Sequence, residues 1–224
     1  FAKATEIPLI HRYPFLENMI IMMGTPVSGM LANMPSPRFI KTHLPMSLLN
    51  PKLLDTAKVV YVARDPRDVA VSCYHHARLF KMMEYPGGFK EFWELFYNGL
   101  CECDFTLFLP WALRHHPNML FLFYEELSKD LPASIRRVAK FLGKTLNQEQ
   151  MDRLCDHLSI ENFKKNKSVN FEEMRELGML EDDESFVRKG KTGGWRDYFD
   201  DEMTRQFTNI RHNSFIMLPP PPTS

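Results

Sequence analysis

An α/β fold with a parallel sheet flanked by helices is predicted by three features of this 224-residue sequence. Residues 57–63, AKVVYVA, form a β-branched apolar run of strand length, as expected of a strand buried on both faces. It ends at RDPRD, where Asp65 can cap a helix, Pro66 suits the first turn and Asp68 favours the positive helix end. The pattern then recurs, with NMLFLFYEEL predicting a strand over 118–123 that leads through Tyr124, Glu125 and Glu126 into a turn or short helix. Strands alternating with helices argue for parallel neighbours, whose ligands sit at the carboxyl ends of strands.

The other elements follow in chain order. Residues 1–36 read as an irregular lead-in with a short helix around 15–22. In PRFIKTHLP a short strand, Phe39-Ile40, runs into Lys41, Thr42 and His43 and is stopped by Pro45. A helix is expected over 66–80, two more over 88–101 and 104–116 with Pro110 kinking the second, and an amphipathic pair over 131–142 and 147–157. The polar segment 159–185 reads as a surface lid or loop, and the chain divides into a domain over 1–207 and a Pro-rich tail over 208–224.

Composition narrows the function. Lys plus Arg and Asp plus Glu balance at 28 each, so no global field favours nucleic acid or an anionic membrane, and any anion site must be local. No run reaches the length of a membrane span. The four cysteines lack a Cys-X-X-Cys pair, which fits reduced thiols in a cytoplasmic protein. No zinc-type spacing joins them to His75-His76 or His115-His116, so no metal is expected.

Three places offer phosphate-type chemistry. Arg64 closes the first strand, where a guanidinium suits bidentate anion binding, unless it pairs with Asp65, Asp68 or a neighbouring carboxylate. Ser72 follows on the next helix, where a hydroxyl ordinarily bonds back to the previous turn. In RKGKTGG, glycines let backbone amides approach an anion while Arg188, Lys189 and Lys191 supply charge; otherwise it is an exposed turn. At the Phe39-Ile40 strand end, Lys41 can stabilise charge and His43 can accept a proton near neutral pH, although a strand-end histidine is more often structural.

Taken together, PFLE at 14–17, RFIKTHLP, KVVYVARDPRDVAVSCYHH, LFLFYEEL and FVRKGKTGGWRDYF resemble, in order and spacing, the cytosolic sulfotransferases. The likeness covers roughly residues 12–200 and implies a sulfotransferase / P-loop nucleotide kinase-like fold. It implies 3′-phosphoadenosine 5′-phosphosulfate as co-substrate and a small apolar alcohol, phenol or steroid-like acceptor. By the resemblance His43 is the base and Lys41 stabilises the transferring group. Arg64, Ser72, Arg188, Lys189 and Gly190 hold the 3′-phosphate, and Tyr124 contacts adenine. Leu158, Ser159, Ile160, Phe186 and Val187 line the nucleoside. Phe15, Tyr74, Phe80 and Met82 are expected to wall the acceptor pocket, which such ligands require to be mostly apolar.

The departures set further expectations. No loop like YPKSGTTW is present, and GTPVSGM at 24–30 has no lysine and follows no convincing strand. With Phe1 in place of Met, this reads as an N-terminally incomplete chain, a fragment or an incomplete gene model, expected to expose a sheet edge and to have little activity alone. Gly194 stands where the family carries an acid and Asp200-Asp201 where it carries a Thr-Val contact, so a homodimer is left open but its usual motif is altered. The alternative to an enzyme is a non-catalytic binder of 3′-phosphoadenosine nucleotides. A P-loop kinase would need Gly-X4-Gly-Lys-Ser/Thr, which is absent.

Overall fold

Two parallel strands carry the site, seen here in a computed structural model that describes residues 6–17, 31, 33–101 and 112–213. β1 (Val59–Ala63) pairs with β2 (Met119–Phe123) in a register that runs from Val59 opposite Met119 to Ala63 opposite Phe123. Because paired parallel strands point the same way, both carboxyl ends meet, and Arg64 and Tyr124 leave the sheet side by side. Tyr61 stacks on Phe121 across the pair at 5.2 Å.

Helices follow each strand. α1 (Leu9–Arg12) and α2 (Leu53–Thr56) precede the sheet. α3 (Pro66–Leu79) starts as expected: the Asp65 carboxylate accepts from the Arg67 amide at 2.9 Å, and Pro66 occupies the first turn. α4 (Phe89–Tyr97) and, after β2, α5 (Tyr124–Lys129) and α6 (Leu131–Phe141) come next. α7 (Gln148–Leu158) opens with a capping box between Asn147 and Gln150. α8 (Ile160–Lys165), α9 (Glu172–Glu176) and α10 (Asp201–Asn213) complete the described chain.

The main core gathers where α3, α4 and α10 meet, around Ala70, Tyr74, Phe92, Trp93, Phe96, Met203 and Phe207. Trp93 is almost wholly buried and its indole N–H donates to Gln206 Oε1 at 2.5 Å, so its one polar atom is satisfied. A smaller cluster, Leu79, Phe80 and Leu180, pins the segment after α9 to the end of α3. There Phe80 and Leu180 form an antiparallel bridge.

The structure corrects several expectations. β1 is not buried on both faces: Val60 and Val62, which share one face, are 41% and 49% exposed. Phe39-Ile40 do not form a strand; the extended chain makes a single parallel bridge between Lys41 and Phe15. Segment 159–185 is not plain loop, since α8 and α9 lie within it. Cys73 is disulfide-bonded, against the expectation of reduced thiols throughout, whereas Cys155 is a free thiol. Linear spacing does not show which sulfurs a fold brings together. Most of the helix expected over 104–116 and part of that over 15–22 lie outside the described residues, as does GTPVSGM. α10 runs through the boundary expected at 207.

Candidate active site

At the sheet's carboxyl end the Arg64 guanidinium lies over the Tyr124 ring, 4.5 Å from its centroid. Its Nη2 donates to the Lys191 carbonyl at 3.4 Å, while Nε is buried without a partner. The competing structural reading, a pairing with Asp65 or Asp68, does not describe this geometry. Asp65 forms an ion pair with Arg67 at 2.6 Å. Asp68, 3% exposed, accepts from the backbone N–H of Gly193 at 2.6 Å and of Trp195 at 3.0 Å. A planar cation with an unused buried donor is suited to an oxyanion.

Asp68 also explains how the glycine-rich segment reaches α3. Its carboxylate draws the 193–195 backbone onto the helix N-terminus, and Gly193 adopts φ +75° there. Arg67 stacks on Trp195 at 3.7 Å and packs against Phe207. Gly190, at φ +63°, leaves no room for a Cβ beside Ile160, so residues 158–160 and the glycine loop come into close contact. Sequence reasoning assigned Asp68 to the helix dipole or to a pairing with Arg64, not to the glycine segment. Its carboxylate within the first turn, with a Gly-Gly further along, is the signal that was available.

The other expected nucleotide residues are distributed around this centre. Ser72 is exposed on α3, and Ser159 caps α8 by accepting from the Asn162 amide at 3.3 Å. Leu158 and Ile160 are each 37% exposed. Phe186 meets Phe171 edge-on at 4.6 Å, with Val187 beside it in the chain. Arg188 donates to the Tyr198 hydroxyl at 3.3 Å, and Lys189 pairs with Asp197 at 3.6 Å on the surface.

The second centre is built on Phe15. Its backbone bridges to Lys41, its ring lies 5.1 Å from Lys41 Nζ, and it meets the His43 ring edge-on at 4.8 Å. Glu17 holds the loop from below, accepting from the Thr42 hydroxyl at 3.0 Å and from the His43 amide. The Leu44 amide donates to the Thr42 hydroxyl at 3.0 Å, which closes the turn. Lys41 and His43 keep open surface, yet surrounding protein lowers both pKa values. For Lys41 desolvation outweighs the opposing Glu17 charge. For His43 desolvation comes first, then Lys41; Glu17 opposes and His76 adds to the lowering.

Not every expected pocket residue converges here. Phe15 does. Phe80 packs against His76 at 4.7 Å and Phe171 at 5.6 Å, which continues an aromatic wall from His76. Tyr74 belongs to the core instead, 7% exposed among Phe89 and Phe92. Met82 is 72% exposed. Glu17 and His76 were missed as site residues; PFLE and the His-His pair were their only traces in the sequence. Two surface clefts, one around Arg136, Lys140 and Met151 and one around Arg153, His157 and Lys165, include none of these residues. Among the described residues no His, Cys, Asp and Glu group is placed to hold a metal, and no helix is long and apolar enough to cross a membrane.

A family model for the sulfotransferase domain matches residues 1–216. The chain belongs to the sulfotransferase family. It is 36% identical over 201 residues to bovine Sulfotransferase 1A1, which covers 88% of this chain and 68% of that protein. A crystal structure of retinol dehydratase in complex with androsterone and inactive cofactor PAP superposes with a TM-score of 0.89. It is 45% identical and covers 99% of this chain and 75% of that one. A second structure of retinol dehydratase, with retinol and PAP, gives 0.85 at 44% identity over 95% and 74%. The sulfotransferase fold, a parallel sheet flanked by helices, is therefore the frame that holds both centres, and by family this chain is an enzyme.

Proposed function

We propose that this sulfotransferase moves the sulfuryl group of 3′-phosphoadenosine 5′-phosphosulfate to the hydroxyl of a small apolar alcohol, phenol or steroid-like acceptor. The supporting observation is Arg64, whose buried Nε lacks a partner while Asp65 pairs with Arg67 and Asp68 with the Gly193 amide. That donor fits a 3′-phosphate oxygen, with Arg188, Lys189, Ser72 and the Gly190 loop closing around it. Tyr124 would meet the adenine, and Leu158, Ser159, Ile160, Phe186 and Val187 the nucleoside. The co-substrate supplies an activated sulfuryl group; the chain's residues position it and move one proton.

His43 takes the acceptor hydroxyl proton. Its lowered pKa leaves the imidazole neutral, and so able to accept a proton, at physiological pH. The acceptor oxygen then attacks sulfur as the bond to the phosphate oxygen breaks. Lys41 stabilises the negative charge that develops there, a role worth most where water is thinned out. Phe15, Phe80, Phe171 and Phe186 favour an apolar acceptor, in keeping with the androsterone and retinol bound by the retinol dehydratase structures. The reading places the protein in the cytoplasm, with a transferase domain that includes the whole of α10.

Sulfuryl transfer by the full-length protein to retinol, androsterone and a simple phenol tests this directly. Turnover of an apolar hydroxyl that His43→Ala removes is the expected result. Tight binding of adenosine 3′,5′-bisphosphate without turnover of any acceptor would leave a nucleotide-binding protein and reject the enzyme.

A further inference from the structure

The proposed donor site stops at Arg188, but the hydrogen bonds do not. Arg188 Nη2 donates to the Tyr198 hydroxyl at 3.3 Å, and that hydroxyl lies 2.8 Å from His75 Nε2. His75 Nδ1 lies 3.0 Å from Glu184 Oε2 and 3.1 Å from Oε1. A carboxylate only accepts, so Nδ1 carries the proton and Nε2 is free to accept from Tyr198 O–H. Every donor in this line therefore points the same way, from Arg188 through Tyr198 and His75 to Glu184.

We propose that His75 is a positioning residue for the donor's 3′-phosphate, holding Arg188 in place through the Tyr198 hydroxyl. The inference rests on Arg188 as a 3′-phosphate ligand, proposed above. Its setting is rigid. The His75 and Glu184 side chains are only 14% and 10% exposed, Arg78 Nε stands 3.6 Å from Glu184, and Arg175 donates to the Glu184 carbonyl at 2.9 Å. The Tyr198 ring packs on Phe89 at 5.1 Å, which fixes where its hydroxyl can reach.

The line works in one protonation state. The groups that face His75 are Glu184 and Arg188 from the segment before the glycine loop, Tyr198 beyond it, and Arg78 and Tyr74 on its own helix. Desolvation lowers the His75 pKa first, with Arg188 and Arg78 adding to the effect against Glu184, so the neutral ring prevails near neutral pH. A second proton turns Nε2 into a donor. Tyr198 would then accept from two cations at once, and the guanidinium loses its fixed seat.

Calorimetry on the full-length protein, comparing adenosine 3′,5′-bisphosphate with adenosine 5′-monophosphate, isolates the 3′-phosphate. The wild type is expected to lose part of its preference as pH falls below His75's ordinary 6.5, by more than the loss from protonation of the 3′-phosphate that the Tyr198→Phe protein shares. Tyr198→Phe is expected to lower the preference roughly 10- to 100-fold, the size of one hydrogen bond to a charged group, and to flatten its pH dependence. Glu184→Gln, which weakens the tautomer bias by replacing one acceptor oxygen with a donor and removing the charge, is expected to flatten the same pH dependence. A folded Tyr198→Phe or Glu184→Gln protein that matches the wild type overturns the proposal. Arg188→Ala separates the two levels. If it removes the preference while Tyr198→Phe does not, only the role of His75 falls; if it leaves the preference intact, the assignment of Arg188 falls with it.

Discussion

Arg64 lies 4.5 Å over the Tyr124 ring because β1 and β2 end in register, Ala63 opposite Phe123. One pairing of main chains thus sets both the cation and the aromatic face proposed for the nucleotide. Arg64→Lys keeps the charge but loses the planar fork and the buried Nε donor. Affinity for adenosine 3′,5′-bisphosphate should fall roughly 10- to 100-fold, the equivalent of about 1.5–3 kcal/mol for a charged hydrogen bond. Calorimetry at fixed salt measures it, and an unchanged affinity would remove Arg64 from the site.

His43→Ala should lower turnover by about 10²- to 10⁴-fold, the usual contribution of a positioned base, with nucleotide binding intact. The pH profile carries an independent sign. Because burial, Lys41 and His76 outweigh Glu17 and hold His43 below its ordinary 6.5, the neutral base form predominates at pH 7. Activity should therefore vary little near neutrality and fall on the acid side through a pKa under 6.5, with any alkaline fall belonging to Lys41. A basic-limb rise continuing above pH 7 in kcat would contradict this assignment.

Asp68→Asn replaces one of two acceptor oxygens with a donor that faces a backbone N–H. Leaving such a group unpaired at a 3%-exposed position costs about 1–3 kcal/mol, to be read as a lowered midpoint in urea. Nucleotide affinity should drop in the same variant, since the glycine loop loses its anchor on α3. A stability loss with full affinity would show that the loop holds its place without Asp68.

Gly190→Ala meets two obstacles, the left-handed backbone at φ +63° and the side chain of Ile160. The first alone costs about 1–2 kcal/mol for a residue with a Cβ. Adding Ile160→Ala should restore part of the lost nucleotide affinity by removing the overlap. Double-mutant analysis tests it, and strict additivity would mean that the two residues do not press on one another.

Much of the frame was legible because it is local. The β-branched run of β1, Asp65 with Pro66 at the start of α3, and the periodic helices α6 and α7 are each written within a dozen residues. The contacts that make the site are not. Asp68 and Gly193 are 125 residues apart, and no spacing rule connects a first-turn carboxylate to a distant amide. Tyr74 and Met82 show the other gap: apolar character marks a residue as wanting cover, not which neighbour will provide it. Tyr74 turned to the core and Met82 to solvent. The exposed Val60 and Val62 likewise look like a buried strand until its neighbours are known.

Phe15 occupies three posts at once, as bridge partner of Lys41, as ring beneath its ammonium and as edge contact of the His43 imidazole. A new acceptor shape cannot be accommodated by trimming this side without disturbing His43, the proposed proton acceptor. Adaptation to different alcohols should accordingly be written on the opposite rim, at Phe80, Phe171 and Phe186, where residues touch one another and His76 but carry no catalytic scaffold.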